Sequence, residues 1–177
     1  MADTMLKSSS PFNGLTLPRK VGAFDVDEAP PASRYIFRGT PDALGGTFPL
    51  PLPDAPCSSM DGGGYAALWL GPDEWLMLAP PGASFAPVRA HGICVDVSHR
   101  NCALLIDGPA ATQLLAAGCP LDLDLSAFPA GMVTRTLFGK AEIILWRTGP
   151  SLFHLECWRS FAPYVAGLLI EASHDVD

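Results

Sequence analysis

The amino-acid sequence predicts an α+β protein with mainly antiparallel sheets and helices packed on one face. Short apolar and aromatic runs separated by tight turns fill residues 65–158, and only two segments have the apolar spacing of a helix. Strands joined by hairpins form antiparallel sheets, and the few helices then cover one face. A chain of 177 residues makes one ordinary domain or two small ones.

Proline in the first part of the chain sets the predicted domain boundary. We expect residues 1–64 to form an extended arm and loops with one candidate short strand at residues 35–38. Residues 65–177 are expected to form the α+β domain. Helices and central strands cannot be built through closely spaced prolines. The cluster consists of Pro49, Pro51, Pro53 and Pro56.

Seven strands are predicted beyond residue 64. The turn at residues 71–74 has Pro72 at its second position, so the runs on either side form a hairpin. Gly139 and Lys140 form a second tight turn. The predicted strands are residues 65–70, 75–79, 92–97, 102–107, 132–138, 141–146 and 151–158.

Two helices complete the predicted element order. Pro109 opens the first helix, and Gly118 ends it. Ser160 is expected to cap the second helix, which continues to about residue 172. Each helix has apolar residues at the spacing of one helical face.

The charge of the chain excludes some classes of function. The net charge is −7, so a surface that neutralises nucleic-acid phosphates is not expected. No apolar stretch reaches the roughly 18 residues that a membrane-spanning helix needs. Charged residues make up only 16% of the chain, which leaves apolar surface for a partner. The five cysteines lack metal-ligand spacing and indicate reduced thiols in a cytoplasmic protein.

No catalytic template is matched, and we expect neither a catalytic residue nor a metal ligand on this chain. Asp96, Ser98 and His99 suggest a triad, but neighbouring polar residues in a turn more simply bond its backbone. His154 and Glu156 could relay a proton or form a solvated pair on one strand face.

Aromatic and cationic residues on strands and turns supply the candidates for a partner or ligand face. Arginine can hold a carboxylate, and tryptophan can form a ligand wall or belong to a core or an interface. No cofactor-binding residue is assigned. The six candidates are Trp75, His99, Arg100, Arg135, Trp158 and Arg159.

An ordered set of short segments between about residues 65 and 172 resembles the gamma subunit family of heterotetrameric sarcosine oxidase. No single segment is specific, but their order is. The segments are LGPDEWL at 70–76, VDVSH at 95–99, LLIDGPA at 104–110, LL at 114–115, CPLDL at 119–123, FPAG at 128–131 and RSFA at 159–162.

The resemblance implies a fold related to the folate-binding fold of the glycine-cleavage aminomethyltransferase. It implies a cytoplasmic complex with alpha, beta and delta subunits, chiefly contacting alpha, that oxidises sarcosine. The products are glycine, hydrogen peroxide and, with tetrahydrofolate, methylenetetrahydrofolate. FAD, FMN and NAD are implied on the large subunits, zinc on delta and folate on alpha.

The catalytic aspartate region of the aminomethyltransferases has no match here, so no folate chemistry is assigned to any residue. The sequence therefore favours a non-catalytic structural subunit. Two alternatives remain open: a free-standing folate-binding or one-carbon transfer protein, and a binding module that shares only the fold.

Overall fold

The computed structural model describes residues 9–44, 46–85 and 92–176. Within those ranges the chain forms eleven strands, two α-helices and two short 3-10 turns. The strands are β1 (Arg19–Lys20), β2 (Phe24–Glu28), β3 (Ser33–Gly39), β4 (Ser59–Gly62), β5 (Tyr65–Gly71), β6 (Glu74–Ala79), β7 (Gly92–Asp96), β8 (Asn101–Asp107), β9 (Val133–Phe138), β10 (Ala141–Arg147) and β11 (Phe153–Trp158). The helices are α1 (Ala111–Ala116) and α2 (Ala162–Ser173).

The strands form two antiparallel sheets. One sheet has six strands in the order β1-β2-β8-β11-β10-β9, and the other has five in the order β4-β5-β6-β3-β7. Every strand pair within them is antiparallel. The predicted α+β class with mainly antiparallel sheets is confirmed.

The six-stranded sheet lies between the helices and the five-stranded sheet. On one face, Leu104 and Leu155 share a buried cluster with Leu114 of α1 and Leu169 of α2. On the opposite face, Ile144 and other residues of the sheet pack against the five-stranded sheet. Alternation along each strand produces both faces, because successive side chains point in opposite directions.

The expected extended arm is wrong at β1 and β2, whereas the candidate short strand at residues 35–38 is confirmed as part of β3. β2 is hydrogen-bonded between β1 and β8, and β3 lies between β6 and β7, so both belong to sheet interiors. Phe24 and Val26 alternate with polar residues, as a half-buried strand requires. The prolines at residues 30 and 31 lie between these strands, where the chain passes from one sheet to the other.

The proline-rich segment is a cover for the five-stranded sheet. Among the described residues from 40 to 57 there is no strand, as expected for a loop, but the loop is packed. Leu44 and Phe48 share a buried cluster with Phe37 and Met77 on the outer face of that sheet. β4 then occupies part of the predicted loop, because the glycines after residue 61 form a hairpin turn with β5.

The start of the second helix differs from expectation. Ser160 does not cap the second helix: residues Arg159–Phe161 form a 3-10 turn, and α2 begins at Ala162 without a side-chain cap. β7 and β8 do not pair with each other, because the turn between them carries the chain from one sheet to the other.

Candidate functional site

Four of the six candidate residues line one shallow surface pocket of about 410 Å³. His99 and Arg100 come from the turn between β7 and β8, whereas Trp158 and Arg159 lie at the end of β11. The backbone N–H of Arg159 donates to the carbonyl oxygen of Arg100 at 2.7 Å. This hydrogen bond holds the two segments together.

Trp158 and Arg100 form the centre of this surface. The guanidinium carbon of Arg100 lies 5.5 Å from the centroid of the Trp158 ring, within range of a cation–π interaction. Trp158 is 44% exposed, and Phe161 beside it is 37% exposed. We call His99, Arg100, Trp158, Arg159 and Phe161 the aromatic–arginine patch.

Arg135 lies near this patch but is already paired. It lines a small pocket together with Arg100 and Trp158. Its Nη2 donates to Glu74 Oε1 at 2.6 Å, and its Nε lies 3.8 Å from Glu142 Oε1. Arg135 therefore links the two sheets, and its charge is largely balanced within the chain.

Trp75 is not a surface residue, which corrects its inclusion in the candidate face. It is 2% exposed, and its ring stacks on Phe37 with centroids 5.7 Å apart. Its Nε1–H donates to the carbonyl oxygen of Pro53 at 2.8 Å. The proline-rich loop covers the sheet face on which Trp75 lies, so the residue belongs to the core.

Asp96 and Ser98 shape the turn and do not form a triad. The backbone N–H of Ser98 donates to Asp96 Oδ1 at 2.8 Å, and the N–H of Arg34 donates to Ser98 Oγ at 2.9 Å. Hydrogen bonding of Asp96 with the side chain and with the backbone N–H of Ser98 lowers the pKa of Asp96. His99 is exposed and lies beyond this network. The turn-bonding interpretation of this motif is confirmed.

The pair formed by His154 and Glu156 is buried, which corrects the expected solvated pair. His154 Nε2 lies 2.9 Å from Glu156 Oε1. Arg34 Nε donates to both carboxylate oxygens of Glu156, at 2.9 and 2.8 Å. Burial raises the pKa of Glu156, but the contacts with His154 and Arg34 outweigh it and the pKa is lowered overall. Both oxygens are occupied, so this carboxylate is not free for acid–base chemistry.

Sequence reasoning missed Arg34 as a member of this network. The residue was placed in the expected arm, although it adjoins the apolar run of the candidate strand at residues 35–38. Arg34 is 6% exposed, and a buried arginine requires a carboxylate partner. The sequence could therefore indicate that Arg34 needs an acidic partner. It could not identify Glu156, because that requires the arrangement of the strands in the two sheets.

Two aspartates and two cysteines that the sequence offers for chemistry make contacts within the fold instead. Asp122 and Asp124 accept hydrogen bonds from the loop backbone, with Asp124 N–H to Asp122 Oδ1 at 2.9 Å. Cys102 Sγ and Cys157 Sγ lie 3.7 Å apart as unbridged thiols. The contact with Cys102 and burial raise the pKa of Cys157, so this thiol stays protonated and unreactive.

A cleft of about 740 Å³ lies beside the aromatic–arginine patch. His99 and Arg159 border both features. In the part of the chain that the structure describes, no three His, Cys, Asp or Glu residues are grouped as metal ligands. The same described ranges contain no helix long and apolar enough to cross a membrane.

A family model described as sarcosine oxidase, gamma subunit family, matches residues 40–175. The chain belongs to this family. Sarcosine oxidase subunit gamma of Corynebacterium sp. (strain P-1) is 36% identical over 115 residues, which are 62% of this chain and 57% of that protein. The Arthrobacter sp. subunit is 34% identical over the same shares. This gamma-family chain thus matches these relatives over little more than half of their length.

Solved structures show the same fold over nearly the whole chain. A chain of the heterotetrameric sarcosine oxidase from Corynebacterium sp. U-96 in complex with pyrrole 2-carboxylate superposes with a TM-score of 0.84 at 26% identity, covering 95% of both chains. The glycine cleavage system aminomethyltransferase T from Bartonella henselae matches at a TM-score of 0.63 and 13% identity, covering 84% of this chain and 46% of that one. The second likeness shows the fold alone, and the expected fold relationship is confirmed.

Proposed function

We propose that this chain is a non-catalytic structural subunit of a heterotetrameric sarcosine oxidase. Such a complex oxidatively demethylates sarcosine to glycine, with hydrogen peroxide and methylenetetrahydrofolate as the other products. The observation that carries the proposal is the superposition of 95% of this chain on a chain of a heterotetrameric sarcosine oxidase.

The state of the chemically capable side chains supports a structural role. Glu156 is bonded through both carboxylate oxygens. Asp96 accepts a hydrogen bond from the turn backbone at Ser98, and Ser98 Oγ accepts one from the backbone N–H of Arg34 in β3. Cys157 has a raised pKa in the core. The exposed side chains of the aromatic–arginine patch suit binding rather than covalent chemistry.

The proposal assigns the chemistry of the reaction to other subunits. The partners are the alpha, beta and delta subunits, with alpha in chief contact. FAD, FMN and NAD are proposed on the large subunits, zinc on delta, and tetrahydrofolate on alpha. We propose a cytoplasmic location, which agrees with the unbridged thiols of Cys102 and Cys157 across adjacent strands.

Co-expression with the large subunits that are proposed to bind the flavins tests this proposal; these are called the flavin-binding chains below. The tagged chain is purified with and without them, and hydrogen peroxide formation from sarcosine is measured. We expect co-purification in one complex and activity only when the flavin-binding chains are present. Sarcosine oxidation by the isolated chain, or a stable monomer that does not associate with those chains, would contradict the proposal.

The 740 Å³ cleft favours one alternative, a free-standing folate-binding or one-carbon transfer protein. The volume is within the range of small-molecule sites. Calorimetry with tetrahydrofolate on the isolated chain distinguishes the two proposals. Micromolar binding supports the alternative, whereas the absence of heat supports the structural subunit.

A further inference from the structure

The aromatic–arginine patch contains positive charge that no carboxylate of the described residues balances in an ion pair. Among the other described arginines, four form ion pairs with carboxylates of this chain, and Arg147 donates to backbone carbonyls. No carboxylate of the described ranges pairs with Arg100 or Arg159. In a chain of net charge −7, this is an unusual concentration of available cations.

The guanidinium groups of the patch have partners that leave much of their donor capacity free. Arg100 Nε donates to Asn101 Oδ1 at 3.1 Å. Arg159 donates through Nη2 to the carbonyl oxygen of Ser9. A guanidinium has five N–H donors, so each arginine can still bind a carboxylate.

Apolar surface lies directly beside these cations. The rings of Trp158 and Phe161 are 6.4 Å apart, and both are more than one third exposed. Exposed tryptophan next to arginine is the composition found at the centre of protein interfaces. The patch therefore offers an apolar contact and charge-assisted hydrogen bonds at one place.

Backbone hydrogen bonds fix the patch before a partner arrives. Arg159 N–H donates to the Arg100 carbonyl oxygen, and Arg100 N–H donates to the Val97 carbonyl oxygen at 2.9 Å. The cation–π contact places the Arg100 side chain over Trp158. A preformed surface loses less conformational entropy on binding, which favours affinity.

We infer that the aromatic–arginine patch docks an acidic segment of a partner polypeptide. Its carboxylates bind Arg100 and Arg159, and an apolar side chain of the same segment packs on Trp158. Charge complementarity selects this occupant, because Arg100 and Arg159 form no ion pair with a carboxylate of the described ranges and none of the residues of the patch is acidic. The inference rests on the proposed function, which supplies the partner chains.

A double charge reversal in the co-expressed complex tests the inference. Arg100→Glu with Arg159→Glu is compared with Lys20→Glu with Lys140→Glu, an equal change in formal charge at exposed positions outside the patch. We expect the patch variant to raise the dissociation constant for the partner by about 100-fold. The control variant is expected to bind within a few-fold of wild type, and circular dichroism establishes that both variants fold.

The outcomes separate this inference from the proposed function. If wild type fails to bind the flavin-binding chains, the proposed function fails. If wild type binds and the folded patch variant binds equally well, the proposed function stands and the docking inference is overturned.

Zero-length crosslinking identifies the occupant. Arg100→Lys with Arg159→Lys introduces amines that a carbodiimide couples to adjacent carboxylates as amides. Mass spectrometry is expected to find these amides on aspartate or glutamate of a flavin-binding chain. Amides that join two copies of this chain instead would overturn the inference in favour of self-association.

Discussion

Arg34 of β3 and Glu156 of β11 form a buried ion pair that joins the two sheets, with Arg34 Nε 2.8 Å from Glu156 Oε2. Their side chains are 7% and 1% exposed. Such a pair does not by itself imply high stability, since both ions lose their hydration. Removing one partner alone is costly, because the other charge is left buried.

Arg34→Met is expected to lower the free energy of unfolding by about 3–5 kcal/mol, because Glu156 would lose its guanidinium partner in the interior. Urea unfolding of the full chain measures this loss. Arg38→Met is the matched control on the same strand, where the side chain is 58% exposed. The control is expected to cost less than about 1 kcal/mol. Equal losses of unfolding free energy in the two variants would contradict the prediction that burial makes the loss of Arg34 costly.

Acid is expected to destabilise the protein through Glu156. The pKa of Glu156 is lowered from its ordinary 4.5, so the folded state holds this proton less tightly than the unfolded chain does. The resulting stabilisation is fully present above 4.5 and is lost as the pH falls towards the folded-state pKa.

Urea unfolding of wild type and Glu156→Gln from about pH 7 to about pH 3 measures this contribution. The difference in unfolding free energy between them is expected to be constant near neutral pH and to shrink below 4.5. A difference that does not depend on pH would show that folding does not shift the pKa of Glu156, and would contradict the prediction.

Truncation of Trp75 is expected to reduce the stability of the fold, whereas truncation of Trp158 is expected to reduce partner binding. Trp75→Ala should lower the free energy of unfolding by about 3–5 kcal/mol, because it empties a core site and removes the hydrogen bond to Pro53. Trp158→Ala should cost no more than about 1 kcal/mol of stability. It should instead weaken partner binding by about 30-fold.

Thermal unfolding and partner pull-down on both tryptophan variants separate these effects. If Trp158→Ala unfolds the chain while Trp75→Ala is tolerated, the assignment of surface and core is reversed.

Gly108→Ala is expected to destabilise the protein by about 2 kcal/mol or more. Gly108 has φ of +117°, and an added Cβ would clash with the backbone carbonyl of Ala23. Gly167→Ala is the control, because it lies in α2 with no atom within 4 Å of an added Cβ. It should stabilise the chain by about 0.5–1 kcal/mol. Differential scanning calorimetry checks that the two changes have opposite signs.

Local patterns in the sequence predicted the hairpins and the helices. The turn at residues 71–74 determines the β5–β6 pairing locally, and the structure pairs Gly71 with Glu74 across it. An irregularity between Trp69 and Gly71 then shifts the register, so that Trp69 lies opposite Trp75. Pro109 and Gly118 bracket α1 for equally local reasons. These elements needed no knowledge of distant partners.

Strands near the start of the chain depend on distant partners, so β2 was not predicted from local patterns and only residues 35–38 of β3 were. Val26 pairs with Ile106, and Ile36 pairs with Val95, so each strand is stabilised by residues far along the chain. Pro30 and Pro31 favour irregular structure at their own positions, and this local effect predicts an arm even though strands lie on both sides of them. Trp75 was misplaced for the same reason, since its cover, Pro53, comes from a loop with no recognisable pairing pattern.

The candidate face was predicted in part. Trp158, Arg159, His99 and Arg100 come from two turns that only the pairing of β8 with β11 brings together. Residue type identified them as binding candidates, but the sequence did not reveal which were adjacent. Whether this face contacts a partner remains a prediction.

The position of β2 has a consequence for synthesis on the ribosome. β2 pairs with β8, and β8 in turn pairs with β11 near the end of the chain. The six-stranded sheet therefore cannot be completed until β11, which ends at Trp158, has left the exit tunnel. During translation, the backbone groups of β2 that pair with β8 stay unpaired until β8 emerges. Slow elongation before that point would prolong the exposure of this strand edge to aggregation and to chaperones.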